Sequence, residues 1–256
     1  MAVAVEFMNV NKRFPKANYN ALESVNLSIE EGELITILGT SGCGKTTLLK
    51  MINRIFEPDS GEIRLFGSSI KEMDPVKLRR GIGYVIQQIG LFPHMTIYNN
   101  IATVPKILGW EKKRINDRIE ELFDLVNLEA KEFKSRYPAQ LSGGQQQRVG
   151  LARALAGYPA VMLFDEPFGA IDAINRENLQ DELLKIHEKS KKTFLFVTHD
   201  INEAFKLGTR VLIMDKGKVK QFDSPGEITA HPADEFVEAL IRTAGKNYIL
   251  SDKGGI

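Results

Sequence analysis

Eight consecutive residues, Gly39-Thr40-Ser41-Gly42-Cys43-Gly44-Lys45-Thr46, carry the clearest chemistry in the chain. They match G-x-x-x-x-G-K-[ST] and lie between an apolar run, Glu33 to Leu38, and a helical pattern from Thr46 to Ile55. Glycines at these positions let the backbone curl so that successive N–H groups face inward, and the helix start adds its positive end. The expected product is a phosphate cradle, with Lys45 reaching the β- and γ-phosphates, the Thr46 hydroxyl on Mg²⁺ and Thr47 beside it. An Asn-Lys pair near the start, Asn11-Lys12-Arg13-Phe14, lacks the Asp of a guanine reader and lies upstream of the loop, which argues against GTP.

Two further apolar runs end in polar residues suited to the same chemistry. Val161 to Phe164 is followed by Asp165-Glu166, and Phe194 to Val197 by Thr198-His199-Asp200. Sites on parallel sheets gather at such strand ends. Asp165 is expected to hold Mg²⁺ through water, Glu166 to polarise the water attacking the γ-phosphate, and His199 to contact that phosphate and orient Glu166. His94, His187 and His231 lack such placement, and His187, on a charged helix, reads as solvated. Leu141-Ser142-Gly143-Gly144-Gln145 precedes a helical pattern from Arg148 to Ala156. It reads either as a plain helix cap or as a second anion site, a serine hydroxyl with two residues lacking side chains at a helix N-terminus. Because one loop already cradles the nucleotide, the second reading suggests that two chains share ATP.

The elements that must position these groups are short buried strands alternating with helices, which implies βαβ units and a mostly parallel sheet in an α/β fold. Val211 to Met214, ended by Lys216-Gly217, is a fourth such strand. Val3 to Val10, Ala21 to Ile29 and Gly61 to Phe66 alternate instead and predict a small N-terminal antiparallel sheet. From about Leu91 to Pro159 the strand signal disappears, and Ile115, Ile119, Leu122, Phe123 and Val126 fall at helical spacing. One domain over 1–256 is expected. It comprises a core at 1–90 and 159–232, a helical subdomain at 91–158, and a C-terminal helix with its tail at 233–256, whose apolar face is Phe236, Val237, Leu240 and Ile241.

Composition narrows the function classes. The chain has 34 basic and 33 acidic residues among 256, a net charge of +1. That balance excludes coating nucleic acid by charge, and the apolar content excludes a disordered chain. The single Cys43 excludes an internal disulfide, and no secretory leader pattern is present at the start. Gly81 to Pro105 holds no Asp, Glu, Lys or Arg, yet Gln87, Gln88, His94, Asn99, Asn100 and Pro93 argue against a membrane span. The stretch reads either as a protein-contact surface or as a strand followed by a buried loop.

With these motifs in this order, the sequence resembles the ATP-binding cassette family, specifically its transporter ATPase subunits, from about Val5 to Ile241. The resemblance implies a P-loop NTPase (RecA-like) core, with Leu141 to Gln145 as the signature motif, Gln87 joining Mg²⁺ and the lid, and Asp172 in the D-loop Gly169-Ala170-Ile171-Asp172. It implies an aromatic residue on adenine, for which Phe14 matches better than Tyr19. It further implies a head-to-tail dimer with ATP between the phosphate loop of one chain and Ser142, Gly143 and Gly144 of the other. Membrane permease subunits would be driven by that dimer and served by an extracytoplasmic binding protein, placing the chain at the cytoplasmic face of the cell membrane with no nucleic-acid partner. Gly81 to Pro105 would then line the permease-docking groove, with Leu91 and Ile97 as contact residues. Met51 to Arg54, Tyr84 to Ile97 and Asp165 to Asp172 look like importers of glycine betaine, choline, carnitine and related quaternary amines. An importer of another solute, such as an amino acid, and a soluble cassette ATPase are the alternatives. Many relatives carry paired regulatory modules after the ATPase, and the expectation is that this chain, ending near where those begin, lacks that sensing.

Overall fold

The computed structural model describes residues 2–15, 17–86, 90–169 and 173–243. The chain forms two compact units, one of residues 1–72 and 195–256 and the other of 73–194.

In the first unit, β1 (Val3–Arg13) pairs antiparallel with β2 (Asn20–Glu30) and β4 (Ser60–Leu65), with Val5 opposite Ile29 and Phe7 opposite Ile63. The short β5 (Ser68–Ser69) closes this sheet in the order β2-β1-β4-β5. Alternation of buried apolar and exposed polar residues along β2 is what one wet face of an antiparallel sheet requires. A second sheet contains β3 (Leu34–Gly39), β8 (Thr193–Val197, entering this unit at Leu195), β9 (Arg210–Asp215) and β10 (Lys218–Asp223), in the order β10-β9-β3-β8. β3 runs parallel to β9, with Ile35 to Gly39 paired against Arg210 to Met214. Every residue of β3 is buried, which explains its unbroken apolar run. Helix α1 (Lys45–Ile52) follows the phosphate loop. It stops short of the expected Ile55, because Asn53 caps it and Arg54 turns left-handed at φ 50°. Helices α8 (Ile201–Leu207), α9 (Pro225–Ala230) and α10 (Glu235–Thr243) complete the unit. Phe236, Leu240 and Ile241 of α10 pack on a core of Leu38, Phe205, Val211, Ile213 and Ile228, the face expected from their spacing.

The second unit holds β6 (Ile82–Ile86) parallel to β7 (Val161–Asp165), Ile82 opposite Val161 and Ile86 opposite Asp165. Around them are α2 (Pro75–Arg80), α3 (Ile97–Ile107), α4 (Lys112–Leu125), α5 (Ala130–Phe133), α6 (Gly143–Leu155) and α7 (Ala173–Ser190). Among the described residues no helix is long and apolar enough to cross a membrane. Part of the charge-free stretch is β6, and part is α3. Within it Asn100 is fully buried: its amide donates to the carbonyls of Phe92, Met95 and Thr96 and accepts from the Phe92 N–H at 2.8 Å. Ile97 is equally buried and so cannot be a contact residue. His187 is half-buried, its ring edge-on to Phe194 at 4.9 Å, because it follows Leu183 by one helical turn; it is not solvated as expected.

Candidate functional site

In the first unit the two ends of the phosphate loop, Gly39 and Gly44, are tightly enclosed by their own chain, while Gly42 between them is open. Gly39 ends β3 at φ 154° and Gly44 precedes α1 at φ 110°. A Cβ on Gly39 would lie 2.1 Å from the Met214 carbonyl oxygen, and one on Gly44 would lie 2.3 Å from that of Ala21. Both positions therefore exclude every side chain. Lys45 is buried, its ammonium donating to the carbonyls of Gly39 at 2.8 Å and Thr40 at 3.0 Å. The chain thus holds a cation inside the loop, while half-buried Thr46 and Thr47 occupy the first turn of α1. Burial pushes the Cys43 thiol above its ordinary pKa, against the opposing pull of Lys45.

The support behind the loop is a feature that reading the sequence missed. Lys216 and Gly217, at φ 46° and 80°, form the two-residue turn between β9 and β10, the mirror-image turn that tight hairpins use. Gly217 donates to the Cys43 carbonyl at 3.0 Å, and the Thr40 hydroxyl bonds Asp215 at 3.4 Å. The Lys-Gly dipeptide, read only as a strand end, was the available signal. Beside the loop lies an open cleft of about 590 Å³ lined by Thr40, Ser41, Gly42, Cys43, Lys216 and Tyr19. Tyr19 is 64% exposed there, whereas the Phe14 ring packs edge-on against Phe56 at 5.1 Å and is not part of the lining. His199 is exposed after β8, where Thr198 donates to the Ile37 carbonyl at 3.1 Å. Asp200 then caps α8, accepting from Asn202 at 2.9 Å and Glu203 at 3.3 Å, which fixes the backbone carrying the imidazole.

In the second unit the Ser142 segment is a capping box. Ser142 Oγ accepts from the Gln145 N–H at 3.3 Å, and Gln145 Oε1 accepts from the Ser142 N–H at 2.9 Å. This reciprocal pair starts α6 at Gly143, five residues ahead of the expected Arg148, and offsets the poor helix propensity of two glycines. A Cβ on Gly143 or Gly144 would meet nothing within 4 Å. Asp165 ends β7 half-buried and accepts a hydrogen bond from the Tyr84 hydroxyl at 3.1 Å. Burial, then the charge of Asp165, raises the Tyr84 pKa, so the phenol remains a donor. Glu166 follows at φ 49°, a left-handed conformation costing roughly 1–3 kcal/mol outside glycine. Strain of that kind concentrates at functional positions. The expectations placed on Gln87 and Asp172 lie outside the described residues.

The same unit carries an open groove of about 450 Å³ whose walls include Ile82, Tyr84, Phe92, Val104 and Ile107. Most of these come from the charge-free stretch. Phe92 and Ile107 are 39% and 57% exposed, and the lining contains Arg79, Arg80 and Arg153 but no Asp or Glu.

Comparison with known proteins bears on all of these features. Residues 22–169 match the family model described as ABC transporter. The chain is 52% identical over 240 residues to the osmoprotectant import ATP-binding protein OsmV of Salmonella typhimurium, covering 93% of this chain and 63% of that protein. It is 50% identical over 233 residues to the glycine betaine uptake system ATP-binding protein YehX of Escherichia coli (strain K12), covering 91% and 75%. Against several such relatives the chain spans only 61–63% of their length. Among solved structures, the dimeric ATP-binding cassette MJ0796 in a post-hydrolysis state, bound to ADP and Pi, superposes with a TM-score of 0.75 at 36% identity, over 86% of this chain and 98% of that one. A phosphate loop after β3, an acidic pair after β7 and a capped Ser-Gly-Gly helix start thus occur in a chain that belongs to the ABC transporter family.

Proposed function

We propose that this chain binds and hydrolyses ATP as the motor subunit of an importer for quaternary-amine osmoprotectants. The observation that carries the proposal is the contrast between an enclosed phosphate loop and a bare Ser142-Gly143-Gly144 helix start. The loop would take the phosphates of one ATP, with Lys45 exchanging its loop carbonyls for phosphate oxygens. Ser142, Gly143 and Gly144 of a second copy, whose N–H groups no side chain shields, would close over that same ATP. The cleft beside the loop favours Tyr19 over Phe14 as the ring for adenine, since the Phe14 ring is already engaged by Phe56.

Thr46 and Asp165 offer the hard oxygen donors that suit Mg²⁺, with Gln87 as a third. When bound, that ion neutralises charge on the β- and γ-phosphate oxygens. Glu166 acts as general base toward the attacking water, and His199 holds the γ-phosphate side of that geometry. The groove seats a helical segment of a permease subunit. Its apolar walls and its three arginines, with no acidic lining, fit a segment with an apolar face and at least one carboxylate. The chain would so be held at the cytoplasmic face of the membrane, while a binding protein delivers the solute. The choice of solute rests on the relatives.

Glu166→Gln tests the chemistry: the variant should retain ATP, lose roughly 10²–10³-fold in turnover and persist as a dimer on gel filtration. Normal hydrolysis by it would remove Glu166 as the base. Binding-protein-stimulated ATPase in the assembled transporter, compared for betaine, choline, carnitine and proline, tests the substrate class.

A further inference from the structure

Tyr84 belongs to two features of the second unit at once. It is one of the residues lining the groove, and its hydroxyl lies 3.1 Å from Oδ2 of Asp165. The register of β6 on β7 sets Tyr84 opposite Leu163 and Ile86 opposite Asp165, so the phenol reaches along the sheet to a residue two positions farther on. The backbone beneath it has no slack. A Cβ on neighbouring Gly83 would lie 2.2 Å from the Met162 sulfur and 2.9 Å from the Ala154 carbonyl oxygen. Arg153, also in the groove lining, donates to the Gly90 carbonyl at 2.8 Å. Tyr84 thus belongs both to the groove lining and to the carboxylate's hydrogen bonding.

We infer that Tyr84 is a positioning residue carrying occupancy of the groove to Asp165. The hydroxyl holds the Asp165 carboxylate in the single chain, and a partner segment seated in the groove confines the ring that carries it. A carboxylate rotates easily about its terminal torsion, so a donor held on Oδ2 by the sheet limits the orientations it can take. The inference rests on the reading that the groove seats a permease helix and that Asp165 faces Mg²⁺. It adds a route by which docking reaches the nucleotide through a hydrogen bond internal to this unit.

Tyr84→Phe keeps the ring and removes only the donor. Binding of a fluorescent ATP analogue by the isolated chain is measured in EDTA and across a Mg²⁺ titration. The expected result is unchanged affinity in EDTA and a Mg²⁺ half-point raised roughly 3- to 10-fold, the scale of one net hydrogen bond. In the assembled transporter, stimulation of ATPase by the loaded binding protein should fall by a similar factor. In an Asp165→Asn background, Tyr84→Phe should shift the Mg²⁺ half-point no further, and an additive shift would overturn the inference. Ile107→Glu, at an exposed groove position, separates the two readings. If that variant still co-purifies with the permease at full stimulation, the groove reading fails. If it loses the permease while Tyr84→Phe retains wild-type Mg²⁺ dependence and stimulation, the Tyr84 inference alone is wrong.

Discussion

Before α1, Gly39 and Gly44 are enclosed and only Gly42 is open; at the start of α6 both glycines are bare. Gly39 and Gly44 lie against the carbonyl oxygens of Met214 and Ala21, and buried Lys45 is bound by the loop it belongs to. Gly143 and Gly144 touch no described residue that a methyl group would disturb, and the helix start is held by the reciprocal bonds of Ser142 and Gln145 and by Gln146, which donates to the Leu141 carbonyl. In the first region glycine is required by the chain's own packing. In the second, no described residue outside the helix start packs against it. The proposed sharing of one ATP between two copies would give the second pair of glycines a use that packing within the chain does not.

The largest effect should come from removing one partner on each side. Lys45→Ala should weaken ATP binding by the isolated chain roughly 10²-fold, because a charge-assisted contact to phosphate is lost. Ser142→Arg should leave that binding intact and reduce hydrolysis by a similar factor, since its bulk meets the other copy's nucleotide. Mixing the two variants tests sharing directly. In a mixed dimer one site combines both defects while the other has Lys45 and Ser142 intact, so activity should return at one site. If the mixture remains as inactive as each parent, the comparison loses its meaning.

A smaller effect separates the two regions by stability rather than activity. Gly44→Ala should destabilise the fold by about 3 kcal/mol, through an impossible contact with Ala21 and a backbone angle disfavoured for any side chain. Thermal or urea unfolding measures it without nucleotide. A loss below about 1 kcal/mol would mean that the loop yields and is not enclosed as described.

The same contrast explains what could be read in the sequence. β3, β7, β8 and β9 are buried on both faces, so their apolar runs are unbroken and were visible. The phosphate loop was visible because its glycines answer to local geometry at fixed spacing. Helix α3 was not, since its amphipathic pattern is masked by amides and by Pro105 within it. Asn100 looks like a surface residue by type, and only the carbonyls of Phe92, Met95 and Thr96 gathered around it make it a core residue. The early start of α6 was hidden for the opposite reason. Two glycines argue against a helix, and the capping box that overrides them is one Ser and one Gln whose bonds exist only once the turn has formed. The hairpin turn behind the phosphate loop was missed because β10 is only partly buried and lacks an apolar run.

The smallest predicted effect has opposite signs in the two readouts. Gly144 lies in the first turn of α6, and among the described residues beyond its own helix backbone a methyl group there meets no atom within 4 Å. Gly144→Ala should therefore stabilise the isolated chain by about 0.5 kcal/mol, the gain expected when alanine replaces glycine at a compatible helical position. Unfolding midpoints should rise slightly while ATP binding by the monomer stays the same. Hydrolysis should nevertheless fall, because the added methyl occupies the space through which the second chain's nucleotide approaches the helix start. A more stable but less active protein is hard to reconcile with a glycine retained for folding. Were hydrolysis to hold at the wild-type rate, the bare helix start would be ordinary surface, and the case for a shared site would rest on Ser142 alone.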